Sequence, residues 1–132
     1  MNLPLLTANI IIVLAFFIHV WMGDKEFIHI EPYLHANNYE KKGEVWTMAR
    51  GAFHIISIDI FCLNILLPVI NFTDIIPNEN VILKLVSFYF LLWAAVFLFI
   101  ILLSEEFKNR FVKLGQWILF IVLSGLLYWA SL

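Results

Sequence analysis

Residues 81–103 read VILKLVSFYFLLWAAVFLFIILL, and Lys84 is the one charged side chain among them. About 20 consecutive apolar residues are enough for a helix to cross the hydrocarbon core of a bilayer. Further stretches that reach or approach this length are residues 3–22, 45–70 and 114–132. The chain is 63% hydrophobic with a mean hydropathy of +0.93, whereas soluble domains contain roughly 45–50% apolar residues. We therefore predict an all-α integral membrane protein.

The four apolar stretches predict an antiparallel, up-down four-helix transmembrane bundle that forms one domain over residues 1–132. The first connection, residues 23–44, is longer than the roughly 2–8 residues that usually join helices in a bundle. It begins at Gly23, which is typical of a helix C-terminal cap, and then mixes large apolar side chains with histidines. We expect this connection to form a segment on the membrane surface.

Lysine and arginine are unevenly placed along the chain. Only Lys84 belongs to the side that holds the second connection and both termini. An excess of basic residues marks the cytoplasmic side of a membrane protein, so we expect both termini to lie outside the cytoplasm. The usage of Ala, Ile, Phe and Asn resembles that of an AT-rich bacterial genome, which favours a bacterial inner membrane. The other basic residues lie in or beside the first and third connections: Lys25, Lys41, Lys42, Arg50, Lys108, Arg110 and Lys113.

A polar stripe follows one face of the second apolar stretch. At 100° per residue, His54, Ser57 and Asn64 all fall within about 40° of Arg50. Polar groups inside a membrane are costly and are therefore candidates for a functional role. One hypothesis is a ligand-binding site that opens toward the cytoplasm, with Arg50 holding an anionic group and His54 as a proton-sensitive partner. The alternative is that these groups only form hydrogen bonds between helices.

Asp59 lies about 180° from Arg50 on the same helical wheel, near the predicted middle of the membrane. An ionised carboxylate is expensive at that depth. We predict a buried acid that is protonated, paired with another helix or exposed to a proton path. Polar groups on two faces of one helix also favour a homo-oligomer or a membrane complex.

The histidines form a second candidate site, since all four are expected near the cytoplasmic surface. Imidazole is a ligand for transition metals such as Zn, Fe and Cu. The spacing matches no metal-binding motif, and the single cysteine, Cys62, excludes a two-cysteine metal clip. Haem between two of the histidines is disfavoured because their depths differ by roughly 7 Å. The candidate ligands are His19, His29, His35, His54 and Glu31, with Asp24 and Glu26 as further carboxylates.

Three functions follow as hypotheses from these patterns. The first is a small binding or transport module, or the membrane subunit of a larger assembly, with its site on the polar stripe. The second is a membrane metalloenzyme or redox subunit, and the third is a structural or assembly protein without a ligand. No catalytic motif such as G-x-S-x-G is present, so catalytic residues stay unassigned. We expect contact with the lipid bilayer and no binding of nucleic acid, because the chain has no basic patch with interleaved aromatics.

Overall fold

A computed structural model describes residues 2–32, 38–104 and 108–132, and all regular structure in these ranges is helical. The all-α prediction is confirmed at this level. The chain divides into two compact units. One contains the residues up to Asn9 together with those from Pro68 onward, and the other contains Ile10–Leu67. The helices are α1 (Leu3–Ile18), a π-helical segment (His19–Gly23), α2 (Asp24–His29), α3 (Tyr39–Phe72), α4 (Glu79–Leu103), α5 (Arg110–Lys113) and α6 (Gln116–Ala130).

Among the described residues, three helical segments are long and apolar enough to cross a membrane: Leu3–His29, Tyr39–Phe72 and Glu79–Leu103. The fourth apolar stretch forms the shorter helix α6, which has 15 residues. At 1.5 Å per residue this helix is about 22 Å long, less than the roughly 30 Å of a hydrocarbon core. The structure is thus compatible with a membrane protein, and the antiparallel four-helix transmembrane bundle stays a prediction.

The prediction that the first helix ends at Gly23 is wrong. Gly23 has helical backbone angles, φ −67° and ψ −40°. The π-helical segment joins α1 directly to α2, so the helix continues to His29. Glu31 and Pro32 follow in irregular backbone. The rest of the predicted surface segment, residues 33–37, lies outside the described residues.

Asparagine precedes three of the helices in the left-handed backbone conformation. Asn38, Asn78 and Asn109 have φ between 57° and 60° and stand directly before α3, α4 and α5. Asparagine tolerates this conformation better than most residues because its short amide can bond to the local backbone. These residues therefore set the points at which the chain turns into each helix.

In the unit that contains the residues from Pro68 onward, helix α4 packs against helix α6. Ser87 of α4 donates a hydrogen bond to the Ser124 carbonyl oxygen at 2.8 Å, and the two hydroxyl oxygens are 3.1 Å apart. Small residues let helices approach closely and bond to one another in an apolar environment. Beside this contact, the Phe120 ring lies 5.3–6.2 Å from three aromatic rings of α4. The buried apolar residues of the two helices are Leu83, Phe90, Ala94, Ile101, Leu123, Leu127 and Ala130.

We expect Ser87→Ala to lower the free energy of unfolding by about 0.6 kcal/mol, the mean for a side-chain hydrogen bond between membrane helices. Ser87→Leu should cost more, because Ser87 is only 5% exposed and a larger side chain would separate α4 from α6. Denaturant unfolding in detergent measures both effects. Thr7→Ala is the matched control, since the Thr7 hydroxyl is exposed and bonds to the Leu3 carbonyl of its own helix. A Ser87→Leu variant as stable as the wild type would contradict this packing.

Candidate functional site: a charged cluster beside the π-helical segment

The unit formed by residues 10–67 contains a cluster of three charged or titratable side chains, Asp24, Arg50 and His54, here called the charged cluster. Oδ1 of Asp24 accepts a hydrogen bond from Nε of Arg50 at 3.0 Å, and the terminal nitrogen Nη2 of the same guanidinium lies 2.9 Å from this oxygen in an ion pair. Nε2 of His54 lies 3.3 Å from the same oxygen. One carboxylate oxygen on α2 therefore holds two side chains of α3 that stand four residues apart.

The π-helical segment fixes where Asp24 stands. Asp24 is the first residue of α2, directly after His19–Gly23. A π-helical turn contains more residues than an α-helical turn, so it changes the face on which every later residue lies. Such turns occur frequently at functional sites. The expected helix end at Gly23 left Asp24 in a connection, and this is why its position relative to Arg50 could not be worked out from the sequence.

The Phe53 ring is the main apolar group that packs beside the charged cluster. Its ring stacks on the His19 imidazole with centroids 3.9 Å apart, and it meets the Phe27 ring edge-on at 5.2 Å. Nε2 of His19 also lies 3.3 Å from the Phe53 carbonyl oxygen. Gly23 leaves the space that this ring occupies, because a Cβ atom built on Gly23 would overlap Cζ of Phe53. The glycine is thus needed for a close approach between helices rather than for a turn.

Trp46 contacts both α2 and the Arg50 side chain of the charged cluster. Its indole N–H donates to the Phe27 carbonyl oxygen at 2.9 Å, which ties α2 to α3. The Arg50 guanidinium carbon lies 5.2 Å from the centre of the indole ring, within the range of a cation–π interaction. The aromatic ring and the Asp24 carboxylate together orient Arg50.

The cluster is only partly shielded, since the side chains of Arg50, Asp24 and His54 are 34%, 33% and 46% exposed. The Arg50–Asp24 pair is neutral as a unit, and a protonated His54 would add a positive charge. An arginine and an imidazole that share one carboxylate oxygen can also hold the oxygens of another anion. The geometry of the charged cluster is therefore suited to holding an anion.

The polar stripe predicted on the second apolar stretch divides into different environments. Arg50 and His54 come together at Asp24, as described above. The buried Ser57 donates instead to the Phe53 carbonyl oxygen of its own helix at 3.1 Å. The buried Oδ1 of Asn64 has no hydrogen-bond partner among the described residues. Asp59 is half-buried within the chain, and its assignment as a buried acid stays a prediction.

The predicted histidine metal site gains no support from the part of the chain that the structure describes. No group of three or more His, Cys, Asp or Glu side chains in it is placed to hold a metal ion. His19 and His54 both contact the Phe53 ring, whereas His29 and Glu31 line a separate cavity of about 680 Å³. His35 lies outside the described residues.

No family model, curated protein or solved structure matches this chain.

We expect Gly23→Ala to destabilise the protein by about 1–3 kcal/mol, the usual cost of overpacking. The added methyl group would push the Phe53 ring away from His19. The double variant Gly23→Ala/Phe53→Leu should recover most of this loss relative to Phe53→Leu alone, because the shorter side chain vacates the space. Thermal unfolding of the four proteins in detergent gives the coupling energy. Additive effects of the two substitutions would show that Gly23 and Phe53 do not meet.

Proposed function

We propose that this protein is a small membrane module that binds, and in the full reaction transports, an anionic ligand at Arg50 and His54. The observation that carries the proposal is the shared Oδ1 atom of Asp24, which both side chains contact. In this proposal the Asp24 carboxylate occupies the anion site when no ligand is bound. A ligand carboxylate or phosphate would displace it.

The energetics favour such an exchange. An ion pair of partly exposed side chains contributes only about 0.2–1 kcal/mol, so Asp24 is a weak internal competitor. An arginine can bind both oxygens of a carboxylate or phosphate at once, whereas Arg50 contacts only Oδ1 of Asp24 in the contacts described. A ligand with two well-placed oxygens would therefore gain contacts that Asp24 does not make.

His54 supplies the second side chain of the proposed site. Its Nε2 lies 3.3 Å from the Asp24 oxygen that Arg50 also contacts. An anion that displaces this oxygen would therefore meet the imidazole as well as the guanidinium, and an imidazole N–H can donate to it.

The test measures the stabilisation of the detergent-purified protein by inorganic phosphate, succinate and chloride at constant ionic strength. We expect phosphate or succinate to stabilise the wild type in a saturable way. Asp24→Asn should lower the apparent Kd by up to about fivefold, because it removes a competitor worth as much as about 1 kcal/mol. Arg50→Gln should abolish the stabilisation.

Arg110→Gln is the matched control, because Arg110 is the chain's other arginine and bonds to the Ser104 carbonyl oxygen. It should bind anions like the wild type. If Arg50→Gln and Asp24→Asn both lower the melting temperature while no anion has a saturable effect, the cluster only holds helices together. That result would refute the binding proposal and favour a structural role.

We also propose that the chain lies in a bacterial inner membrane with both termini outside the cytoplasm, so that the charged cluster faces the cytoplasm. The placement of lysine and arginine supports this orientation. Single cysteines at the exposed positions Lys42 and Ile75, in a Cys62→Ser background, test it with an impermeant thiol reagent. In intact cells we expect labelling at position 75 and none at position 42. The reverse pattern would show that the topology is inverted.

A further inference from the structure

A groove lies between the end of α2 and the first three turns of α3, here called the interfacial groove. Its described lining residues lie between Phe27 and Pro32 on one wall and between Asn38 and Ala49 on the other. The hydrogen bond from the Trp46 indole to the Phe27 carbonyl oxygen joins the two walls. The volume of about 680 Å³ is within the range of cavities that bind small ligands. None of the described lining residues belongs to the charged cluster.

The α3 wall of the interfacial groove changes from charged to apolar along the helix. Its residues follow one another at helical spacings of three and four, so they share one face of α3. The two lysines stand in the first turn, and the apolar side chains follow them. A ligand that lies along this face would meet cationic groups at one end and apolar groups at the other, which suits an amphiphile. In chain order these residues are Lys41, Lys42, Val45, Trp46 and Ala49.

The charges at the interfacial groove favour an anion. Lys41 and Lys42 are exposed, and neither has an ion-pair partner among the described residues. Glu31 is the one acid among the described lining residues, so two lysines and one glutamate leave a single positive charge. The exposed acids Glu40 and Glu44 of α3 do not line the groove. The N-terminal end of α3 also carries partial positive charge, so an occupant with one negative charge is matched best.

The length of α3 sets the depth of the interfacial groove. Its 34 residues span about 51 Å, against roughly 30 Å for a hydrocarbon core. Four of the six residues 39–44 are charged, compared with two of Asp, Glu, Lys or Arg in residues 45–72, so the surplus length lies at the N-terminal end. The groove therefore lies at the level of the lipid headgroups. Ile30 and Val45 are nevertheless 64% and 60% exposed there, and covering such apolar surface is favourable.

We propose that the interfacial groove binds an anionic phospholipid of the surrounding membrane. The phosphate would bind between Lys41 and Lys42, and the first part of an acyl chain would cover Ile30 and Val45 and extend toward Ala49. Basic pockets between membrane helices bind anionic headgroups in this way, and a bilayer supplies the ligand at high local concentration. The inference rests on the proposed membrane location but not on the proposed anion site.

Native mass spectrometry of the full chain in detergent tests the proposal, with phosphatidylglycerol and phosphatidylcholine of identical acyl chains as the probes. We expect phosphatidylglycerol to bind first and more tightly, because phosphatidylcholine has no net charge. Glycerol phosphate carries a phosphate but no acyl chain, so an excess of it should not displace the bound lipid. Equal binding of the two lipids would overturn the proposal. Displacement by glycerol phosphate would also overturn it, because the groove would then bind a free phosphate ester.

Paired lysine variants test the headgroup end of the site. Lys41→Gln/Lys42→Gln should weaken the binding of phosphatidylglycerol by about thirtyfold and remove its preference over phosphatidylcholine. The matched control is Lys108→Gln/Lys113→Gln, which removes the same charge from exposed positions of the third connection, on the same predicted side of the membrane. It should keep the preference. Equal weakening in both variants would reveal only a general attraction between charges and would overturn the proposal.

Paired alanine variants test the apolar end. Ala49→Phe would fill the groove and should weaken phosphatidylglycerol at least tenfold, whereas Ala52→Phe, at an exposed alanine outside the groove, should not. Unchanged lipid binding in Ala49→Phe would overturn the proposal. If Ala49→Phe instead dissociates a dimer without any effect on lipid, a second copy covers the groove and the proposal is wrong. All four variants retain Asp24, Arg50 and His54, so their stabilisation by inorganic phosphate distinguishes a failure of the lipid site from a failure of the anion site.

Discussion

The close approach of Gly23 to the Phe53 ring is the contact on which the candidate site depends. It brings α2 against α3, and it allows the ring to lie between the side chains of His19 and Phe27. With α2 in this position, Asp24 comes within hydrogen-bond distance of Arg50. A bulkier residue at position 23 would displace the ring first and the carboxylate with it. A residue without a side chain therefore determines the geometry of a polar site.

The sequence predicts the helical class well and the site only in part. Long apolar stretches determine that helices form, because in lipid a backbone must satisfy its own hydrogen bonds. The helical wheel of the second stretch correctly places Arg50 and His54 on one face, since both lie within a regular α-helix. Asp24 follows a π-helical segment, and no simple periodicity predicts the face on which a residue lies after such a segment. The helical wheel alone therefore does not identify Asp24 as the residue that contacts Arg50 and His54.

Glycine and asparagine differ in how well the residue type alone predicts the local backbone. Glycine is typical of helix ends, yet Gly23 lies inside a helix. Its missing side chain makes room for the Phe53 ring, and this packing outweighs the weak preference of glycine for a helix cap. Asn38, Asn78 and Asn109 follow their local preference and precede helices with positive φ. The difference is physical: each asparagine acts on its own backbone, whereas the effect of the glycine depends on a ring 30 residues away in the chain.

The charged cluster is held in place by only part of its hydrogen-bonding capacity. One carboxylate oxygen of Asp24 contacts both Arg50 and His54, and this orients the two side chains. A guanidinium has five N–H donors, so Arg50 keeps donors that a single carboxylate oxygen does not use. These remaining donors are the ones that the proposed anion would need.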